Sequence, residues 1–267
     1  MVESFKTALR ESNMAENTIS AYVYAVNDYF SKHKTLNKRN LLLYKANLIE
    51  QFRPKTVNLR IQALNKFLEH VGKPKLRLKS VKVQQRSYLE NVISQADYIF
   101  FKKKLKQEEN LMWYFVVRFL TATGARISEL IQIKVEHVRI GYFDIYSKGG
   151  KVRRVFIPRR LRDEAEKWFE ETQQTTGYIF RNRFGERITT RGIAQQLKNY
   201  AERYGLNTNV VYPHSFRHRY AKNFLEAFND IALLADLMGH ESIETTRIYL
   251  RRTASEQQAI VDKVITW

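Results

Sequence analysis

Five side chains able to act on a phosphodiester stand in short and distinctive stretches of this sequence. Tyr249 lies nine residues after His240, in the stretch Gly-His-Glu-Ser-Ile-Glu-Thr-Thr-Arg-Ile-Tyr. Upstream, His214 and Arg217 share the stretch His-Ser-Phe-Arg, and Arg126 lies in Thr-Gly-Ala-Arg-Ile-Ser-Glu-Leu. A guanidinium matches the geometry of phosphate oxygens, and a tyrosine hydroxyl can form a covalent intermediate. Together these residues predict phosphodiester chemistry with Tyr249 as the nucleophile.

The charge of the chain predicts a polyanionic partner. The 267 residues include 46 Lys and Arg against 27 Asp and Glu, which gives a formal net charge of +19. Such an excess favours nucleic acid first, here double-stranded DNA, and an anionic membrane second. The charge alone does not separate an enzyme from a structural nucleic-acid-binding protein. A hydrophobic share of 44% is enough for one large core or two smaller ones.

Several classes of protein are excluded by what the sequence lacks. There is no cysteine, so disulfides, thiolate nucleophiles and zinc–thiolate sites are ruled out. Residues 1–10 have no apolar core of signal-peptide length, and the longest apolar run, residues 111–117, is too short to span a bilayer. No phosphate-binding glycine loop and no carboxylate cluster of the two-metal type occurs. We therefore expect a soluble, cytoplasmic protein that works without a metal or another cofactor.

The elements that position these side chains are predicted to be mainly helical. Asn13, with Glu16 three residues on, marks the start of one helix. Another helix carries apolar residues at helical spacing, namely Val57, Ile61, Leu64 and Leu68. Its other face is polar and includes Arg60, Asn65 and Lys66. We expect these three residues to contact a DNA groove, and the alternative for each is an ordinary solvated face.

A basic stretch from Val71 to Tyr88 separates two helical regions. It contains no carboxylate, and its cationic residues are Lys73, Lys75, Arg77, Lys79, Lys82 and Arg86. This composition predicts a linker between two domains that follows the surface of a duplex. Lys79, Lys82 and Arg86 are therefore predicted DNA contacts.

The second helical region is interrupted by hairpins. Ser94 with Asp97 marks a helix start, and residues 110–120 form an apolar run typical of a buried helix. The hydrophobic period then changes to two on both sides of a Lys-Gly-Gly-Lys turn, at Val138, Ile140, Phe143, Ile145, Val155 and Ile157. This pattern predicts an antiparallel hairpin. A second short hairpin is predicted over residues 180–188, and helices follow to the end of the sequence.

In their order and spacing, these stretches resemble those of the tyrosine recombinase, or phage integrase, family. The resemblance covers about residues 88–249 and matches six of the family's catalytic positions: Arg126, Lys148, His214, Arg217, His240 and Tyr249. The N-terminal helices resemble the family's core-binding domain, with weaker motifs. The chain is most similar to simple Xer-like or invertase-like members, which lack an arm-type DNA-binding domain.

The resemblance implies how the reacting phosphate is held. Two guanidiniums, Arg126 and Arg217, would clamp the non-bridging oxygens as charge builds up on them during in-line displacement. His240 would hydrogen-bond a non-bridging oxygen. Glu129, three residues beyond Arg126, can face that arginine on a helix and orient it.

The resemblance also implies which groups move protons. Tyr249 must lose its proton as it attacks, and a free tyrosine titrates near ~10. His214 is the candidate base. Lys148, in the hairpin turn, would give a proton to the leaving 5′ oxygen. Lys151 in the same turn is the alternative acid and a predicted DNA contact.

The implied architecture has two domains and the implied reaction needs no energy source. Residues 1–83 would form a SAM-like helical core-binding domain, and residues 88–267 a mostly helical catalytic domain with a small antiparallel β-sheet. A 3′-phosphotyrosyl intermediate would conserve the energy of the cut bond while duplex DNA is cut and rejoined. Four protomers are expected to act on two DNA sites as a homo-tetramer, with residues 254–267 docking on a neighbouring protomer.

Other functions fit some of the same residues. A type IB topoisomerase relaxes supercoils by similar chemistry without sequence preference, and a non-catalytic DNA-binding protein could keep the fold. His214 and His218, one helical turn apart, could also share a zinc ion. Ser215 stands where a zinc protease has its glutamate and no third ligand is evident, so no metal site is predicted.

Overall fold

The chain forms two compact units. The computed structural model describes residues 1–83, 91–146, 152–250 and 254–265. Unit 1 comprises Met1–Gln85 and unit 2 comprises Arg86–Trp267. The described elements are mainly helices with one two-stranded antiparallel sheet, as the sequence predicts. Across these ranges, no helix is both long enough and apolar enough to cross a membrane.

Unit 1 is a bundle of four helices. They are α1 (Val2–Glu11), α2 (Glu16–Lys32), α3 (Lys38–Gln51) and α4 (Pro54–His70), followed by a 3-10 turn at Pro74–Leu76. Asn37 begins α3 by accepting a hydrogen bond from the backbone N–H of Asn40 at 2.8 Å, and Pro54 occupies the first turn of α4. One apolar core joins the helices, and its largest members are Phe5, Tyr29, Tyr44 and Phe67.

The predicted helix start at Asn13 is wrong. α2 begins at Glu16 after Ala15, whereas Asn13 has a left-handed backbone with a φ of 53°. Its backbone N–H donates to the carbonyl of Arg10 at 2.8 Å, which closes the end of α1. Asparagine tolerates this conformation better than most residues. The pattern therefore marked a real helix boundary but assigned Asn13 to the wrong helix.

The first part of the predicted linker is held against unit 1. Residues 77–83 form an extended strap beside α4, and Leu78 within it is buried. The side-chain amide of Asn65 donates to the carbonyl of Leu78 at 2.9 Å and accepts from its N–H at 2.8 Å. Asn58 does the same with Val81, at 3.0 and 2.8 Å. Two asparagines, two helical turns apart, thus pair with the strap as a neighbouring strand would.

Unit 2 contains ten α-helices and one two-stranded sheet among its described residues. Its first half comprises α5 (Gln95–Gln107), α6 (Leu111–Thr123), α7 (Ile127–Leu130), α8 (Val135–Ile140), β1 (Tyr142–Tyr146) and β2 (Val152–Phe156). Its second half comprises α9 (Arg159–Glu171), α10 (Thr190–Arg203), α11 (Pro213–Ala227), α12 (Ile231–Met238), α13 (Ile243–Arg247), a 3-10 turn at Ile248–Leu250 and α14 (Ala254–Val264). The predicted start of α5 is confirmed, because Ser94 accepts from the backbone N–H of Asp97 at 2.9 Å.

α6 is the central helix of unit 2, in agreement with the predicted buried helix. Eight of its 13 residues are buried, because the helix is apolar on nearly all sides. Phe115 stacks on Trp168 of α9 with 4.6 Å between ring centroids, and Phe119 meets Phe180 edge-on at 5.8 Å. α11 also packs on α6. The core therefore fixes α11, which carries two of the predicted catalytic residues.

The predicted hairpin is present but shorter than its hydrophobic pattern indicated. Tyr142 pairs with Phe156 and Tyr146 with Val152 in antiparallel register. Val138 and Ile140 belong instead to α8, where Val135 and Val138 bury one face at helical spacing. Val138 and Ile140 are two residues apart, as in a strand, although they belong to a helix. The alternating pattern therefore begins before Tyr142, where the strand itself starts. The second predicted hairpin is confirmed by an antiparallel bridge between Arg181 and Arg187.

Candidate active site

Tyr249 lies on the short 3-10 turn after α13 and is 6% exposed. Its ring packs in a small apolar cluster of Ala221, Leu225, Leu234 and Met238, from α11 and α12. The imidazole of His218 lies 5.3 Å from the phenol ring, and that of His240 is stacked at 6.2 Å between centroids. Burial raises the pKa of Tyr249, although the charge of Arg217 and a hydrogen bond from it act in the opposite direction.

Arg217 is the most deeply buried of the predicted catalytic residues, with 2% of its surface exposed. It projects from α11 and donates to the carbonyls of Gly124 and Met238, the latter at 2.7 Å. The same terminal nitrogen lies 3.3 Å from Nε2 of His240. Burial and the nearby positive charge of Arg126 lower the pKa of Arg217 to about 10, so it remains protonated at neutral pH.

Arg126 caps the start of α7 and is the most accessible arginine of the site. Its guanidinium donates to Oε1 of Glu129 at 2.8 Å and to the carbonyl of Gly239 at 3.0 Å. The backbone N–H of Arg126 donates to the other carboxylate oxygen at 2.6 Å. The Arg126 side chain is 37% exposed, while that of Glu129 is 7% exposed. Glu129 therefore lies behind Arg126 and directs its free edge towards solvent.

A third arginine, Arg153 on β2, completes the cluster and was not predicted from the sequence. It donates to Glu129 and to the carbonyl of Leu237, the latter at 2.9 Å. Alternation along the strand was the available signal, because it places Arg153 on the same inward face as buried Val155. Arg154, one residue on, points outward and pairs with Asp144 at 2.8 Å.

His240 is neutral at pH 7 and its tautomer follows from its neighbours. Burial and the charge of Arg217 lower its pKa to about 4. Arg217 can only donate, so Nε2 of His240 accepts, and Nδ1 carries the proton that is shared with Oγ1 of Thr246 at 2.8 Å. Thr246 is fully buried on α13, three residues before Tyr249. The histidine thus links Arg217 to the helix that leads into the tyrosine.

The two histidines of α11 differ in exposure. His214 is exposed in the first turn, and its pKa is lowered by partial burial of the ring and by the charges of Arg217 and Arg126. His218 lies 6.0 Å from it between ring centroids, and burial lowers its pKa to about 4. The Nδ1 atom of His218 is buried without a hydrogen-bond partner. Within the described ranges, no three side chains of the types that bind metal ions come together.

Two of the predicted DNA contacts, Arg60 and Asn65, are engaged inside unit 1. Arg60 is 9% exposed, donates to Asp28 at 2.7 Å and lies over the ring of Phe52 at 4.3 Å. Asn65 binds the backbone of the strap at Leu78. Both were predicted from a polar helix face, but these two side chains pack against other parts of the unit, whereas Lys66 of the same face is exposed. The interpretation of these two residues as groove contacts is therefore corrected to a structural one.

The remaining predicted contacts are exposed or lie outside the described residues. Lys66 is exposed beside Glu69, with 3.6 Å between Nζ and the carboxylate. Lys79 and Lys82 are exposed on the strap. Arg86, Lys148 and Lys151 fall outside the described residues. Among the described residues, the accessible candidates therefore lie on α4 and on the strap.

Known proteins resemble the chain over nearly its whole length. It is 28% identical over 275 residues to the tyrosine recombinase XerA of Pyrococcus furiosus, covering 98% of this chain and 93% of XerA. It is 26% identical to the TnP I resolvase of Bacillus thuringiensis, covering 93% and 94% of the two chains.

Solved structures share the fold at lower sequence identity. The Tn1549 transposon integrase in complex with circular intermediate DNA matches with a TM-score of 0.73, 15% identity and coverage of 98% and 99%. The XerH recombinase bound to a palindromic difH substrate matches with a TM-score of 0.72, 19% identity and coverage of 96% and 81%. Residues 91–256 match the phage integrase family itself. Because this match spans more than half of the sequence, the chain belongs to the phage integrase family.

Proposed function

We propose that this protein is a site-specific DNA recombinase that cuts and rejoins duplex DNA through a phosphotyrosyl intermediate at Tyr249. The observation that supports this proposal most directly is the assembly of one phenol, two predicted phosphate-binding arginines and His240 within unit 2. These residues come from α7, α11, the end of α12 and the turn after α13. An arrangement of cationic groups beside a buried phenol is suited to stabilise charge on a pentacoordinate phosphorus.

Arg126 and Arg217 would form the phosphate clamp. In the structure they donate to the carbonyls of Gly239 and Met238. A phosphate oxygen carries more charge than a carbonyl oxygen, so it is the stronger acceptor once DNA arrives. Losing either guanidinium should cost on the order of 3 kcal/mol of transition-state stabilisation.

The attack of Tyr249 requires the loss of a proton that burial makes harder to remove. In the step, the phenol oxygen forms a bond to phosphorus, the bond from phosphorus to the 5′ oxygen breaks, and the phenol proton passes to a base. His214 is the proposed base, and its lowered pKa keeps it neutral and able to accept a proton at pH 7. Lys148 would supply the proton that the departing 5′ oxygen takes up.

His240 needs a different tautomer to donate to a phosphate. In the structure its Nε2 atom accepts from Arg217. A phosphate anion beside the ring would favour a proton on Nε2 and raise the pKa of the imidazole. When Arg217 turns to the phosphate, Nε2 loses its donor and can take a proton itself. His240 would thus change from acceptor to donor on DNA binding.

Rejoining would reverse the same step. The phosphotyrosyl ester keeps the energy of the broken bond, so attack by a 5′ hydroxyl restores the DNA backbone without a nucleotide cofactor. Exchange between two duplexes requires hydroxyls from a second site. A homo-tetramer on two DNA sites provides them, with residues 1–83 as the core-binding domain and residues 88–267 as the catalytic domain. The net charge of +19 supports duplex DNA as the partner. We also propose a cytoplasmic location for this protein.

Covalent trapping on DNA tests the proposal. A binding site is first selected from random duplexes. A nick a short distance 3′ of the scissile phosphate then lets the short fragment that carries the new 5′ hydroxyl diffuse away after cleavage. The wild-type protein should form a denaturation-resistant complex with this DNA, whereas Tyr249→Phe should form none. Tyr146→Phe is the control, because Tyr146 belongs to the same unit and is 80% exposed.

The same assay separates the alternatives. A non-catalytic DNA-binding protein gives no covalent complex with any DNA. A type IB topoisomerase gives a complex on unselected sequences as well and relaxes supercoiled plasmid. Either result would contradict the proposed recombinase.

A further inference from the structure

Three consecutive carbonyls at the end of α12 each accept a hydrogen bond from a different arginine. Leu237 accepts from Arg153, Met238 from Arg217 and Gly239 from Arg126. The end of a helix presents unpaired carbonyls and a partial negative charge, so it attracts guanidinium groups. Two of these arginines belong to the proposed clamp, and the third has no role in the mechanism described above.

Arg153 is built into the site more firmly than a surface cation. Its side chain is 11% exposed, and its aliphatic part lies against the backbone at Gly239. One terminal nitrogen donates to Glu129 and the other to Leu237. Only a guanidinium can make both contacts at once in a fixed geometry, because lysine offers a single ammonium group.

Charge accounting shows what Arg153 changes for Arg126. Glu129 is a buried carboxylate that contacts both arginines. If Arg153 were absent, Glu129 would be balanced by Arg126 alone, and Arg126 would be held back from a phosphate. With Arg153 present, the three arginines and one carboxylate carry a net charge of about +2. That surplus is located on Arg126 and Arg217, the two residues of the proposed clamp.

We propose that Arg153 is a positioning residue that balances Glu129 and holds the end of α12, so that Arg126 and Arg217 can turn to the scissile phosphate. The inference rests on the recombinase function proposed above. Arg153 itself need not touch DNA. It stays bound to Leu237 while the other two arginines exchange their carbonyl partners for phosphate oxygens.

Single-turnover cleavage of the nicked site at saturating protein tests this role. Arg153→Gln should cleave about 10- to 100-fold more slowly than the wild type, a loss typical of groups that orient reacting residues. The protein concentration at half-saturation of the DNA should change by less than about threefold, because phosphate contacts elsewhere dominate affinity. Arg154→Gln is the matched control: it is adjacent, exposed and paired with Asp144, and should cleave at the wild-type rate.

A second pair of variants separates positioning from folding. Removing the carboxylate should relieve part of the defect, so Glu129→Gln combined with Arg153→Gln should cleave faster than Arg153→Gln alone. Arg153→Lys keeps the charge and the fold but loses one of the two contacts, and should cleave about 3- to 10-fold more slowly. Thermal unfolding of each variant is measured in parallel.

The outcomes are distinguishable. A wild-type cleavage rate in Arg153→Gln or Arg153→Lys, a defect confined to DNA binding, or no recovery in the double variant would each overturn the positioning role. A covalent complex that persists in Tyr249→Phe would instead overturn the proposed function, whatever the Arg153 variants do.

Discussion

At the scale of single residues, the site depends on the number of acceptors to which each guanidinium donates hydrogen bonds. Arg217 is buried and donates to two carbonyls from different helices, at Gly124 and Met238. A lysine there would keep a positive charge but leave at least one buried carbonyl without its donor. The charge of Arg217 and the geometry of its guanidinium therefore contribute separately to catalysis and to stability, and a substitution that keeps only the charge can distinguish them.

We predict that Arg217→Lys lowers the yield of covalent complex by about 100-fold or more, because a clamp donor is lost. The free energy of unfolding should also fall, by about 1–3 kcal/mol for the unpaired carbonyl. Trapping on the nicked site and urea denaturation measure the two effects. Arg247→Lys, an exposed change two residues before Tyr249, should alter neither.

The buried histidines predict how stability depends on pH. The pKa of His218 is about 4 in the folded protein and near ~6.5 when unfolded. Between these values the unfolded chain binds more protons, so the free energy of unfolding should decrease as the pH falls from about 6.5 to about 4. For His218 the loss should be about 3 kcal/mol, from a difference of about 2.5 pKa units. Urea denaturation at a series of pH values measures this dependence. In His218→Asn the free energy of unfolding should change less between pH values of about 6.5 and about 4 than in the wild type. An equal change in both proteins would contradict the lowered pKa of His218.

At the scale of elements, the end of α12 depends on Gly239. This residue has a φ of +63°, and a Cβ atom there would lie 2.3 Å from Cδ of Arg153. Gly205 has a φ of +68° with open space around its Cβ position. Both glycines have a positive φ, which is unfavourable for other residues. They differ in their surroundings, because only a Cβ at Gly239 would meet the side chain of Arg153.

We predict that Gly239→Ala lowers the free energy of unfolding by about 1–2 kcal/mol more than Gly205→Ala, because only the former displaces a packed side chain. Gly239→Ala should also slow cleavage, since Arg153 must move. Denaturant titrations and single-turnover kinetics on both variants provide the measurement. Equal effects of the two substitutions would show that Arg153 adjusts freely.

The strap on unit 1 depends on Asn58 and Asn65. Replacing both with alanine removes four hydrogen bonds to residues 78 and 81. The strap should then open, and trypsin should cleave after Lys79 or Lys82 much faster than in the wild type. Gln62→Ala, an exposed change on the same helix, is the control. Cleavage at the wild-type rate in the double variant would mean that the strap is held by its other contacts, which include buried Leu78 and the hydrogen bond from Lys45 to the carbonyl of Lys79.

These elements show where sequence patterns predict structure and where they do not. The apolar run of α6 and the alternation of the hairpin reflect burial, which short-range periodicity records directly. Arg60 and Asn65 looked like surface residues because polar side chains usually are. Their partners, Asp28 and Leu78, are distant in sequence, and no local pattern reports such pairing. Arg153 was missed for the same reason, since Glu129 and Leu237 lie on other elements.

At the scale of the whole molecule, electrostatics should dominate DNA binding. Each phosphate that a lysine neutralises releases counterions, so the logarithm of affinity should fall linearly with the logarithm of salt concentration. Replacing Lys66, Lys79 and Lys82 with glutamine should make that slope shallower by about 2 to 3 units. Lys6→Gln, on α1, should leave the slope unchanged. Fluorescence anisotropy between about 50 and 300 mM salt gives the slopes. Equal slopes for the wild type and the triple variant would exclude the three lysines as phosphate contacts.

The row of carbonyls at the end of α12 also determines which anions can bind among the arginines. Three guanidiniums close to one carboxylate repel each other, and the partial negative charge of the helix terminus offsets part of this repulsion. The carbonyls of Leu237, Met238 and Gly239 hold the three guanidiniums in fixed orientations. An anion that binds Arg126 or Arg217 must therefore replace a main-chain oxygen, which favours acceptors as strong as a phosphodiester over weaker ones.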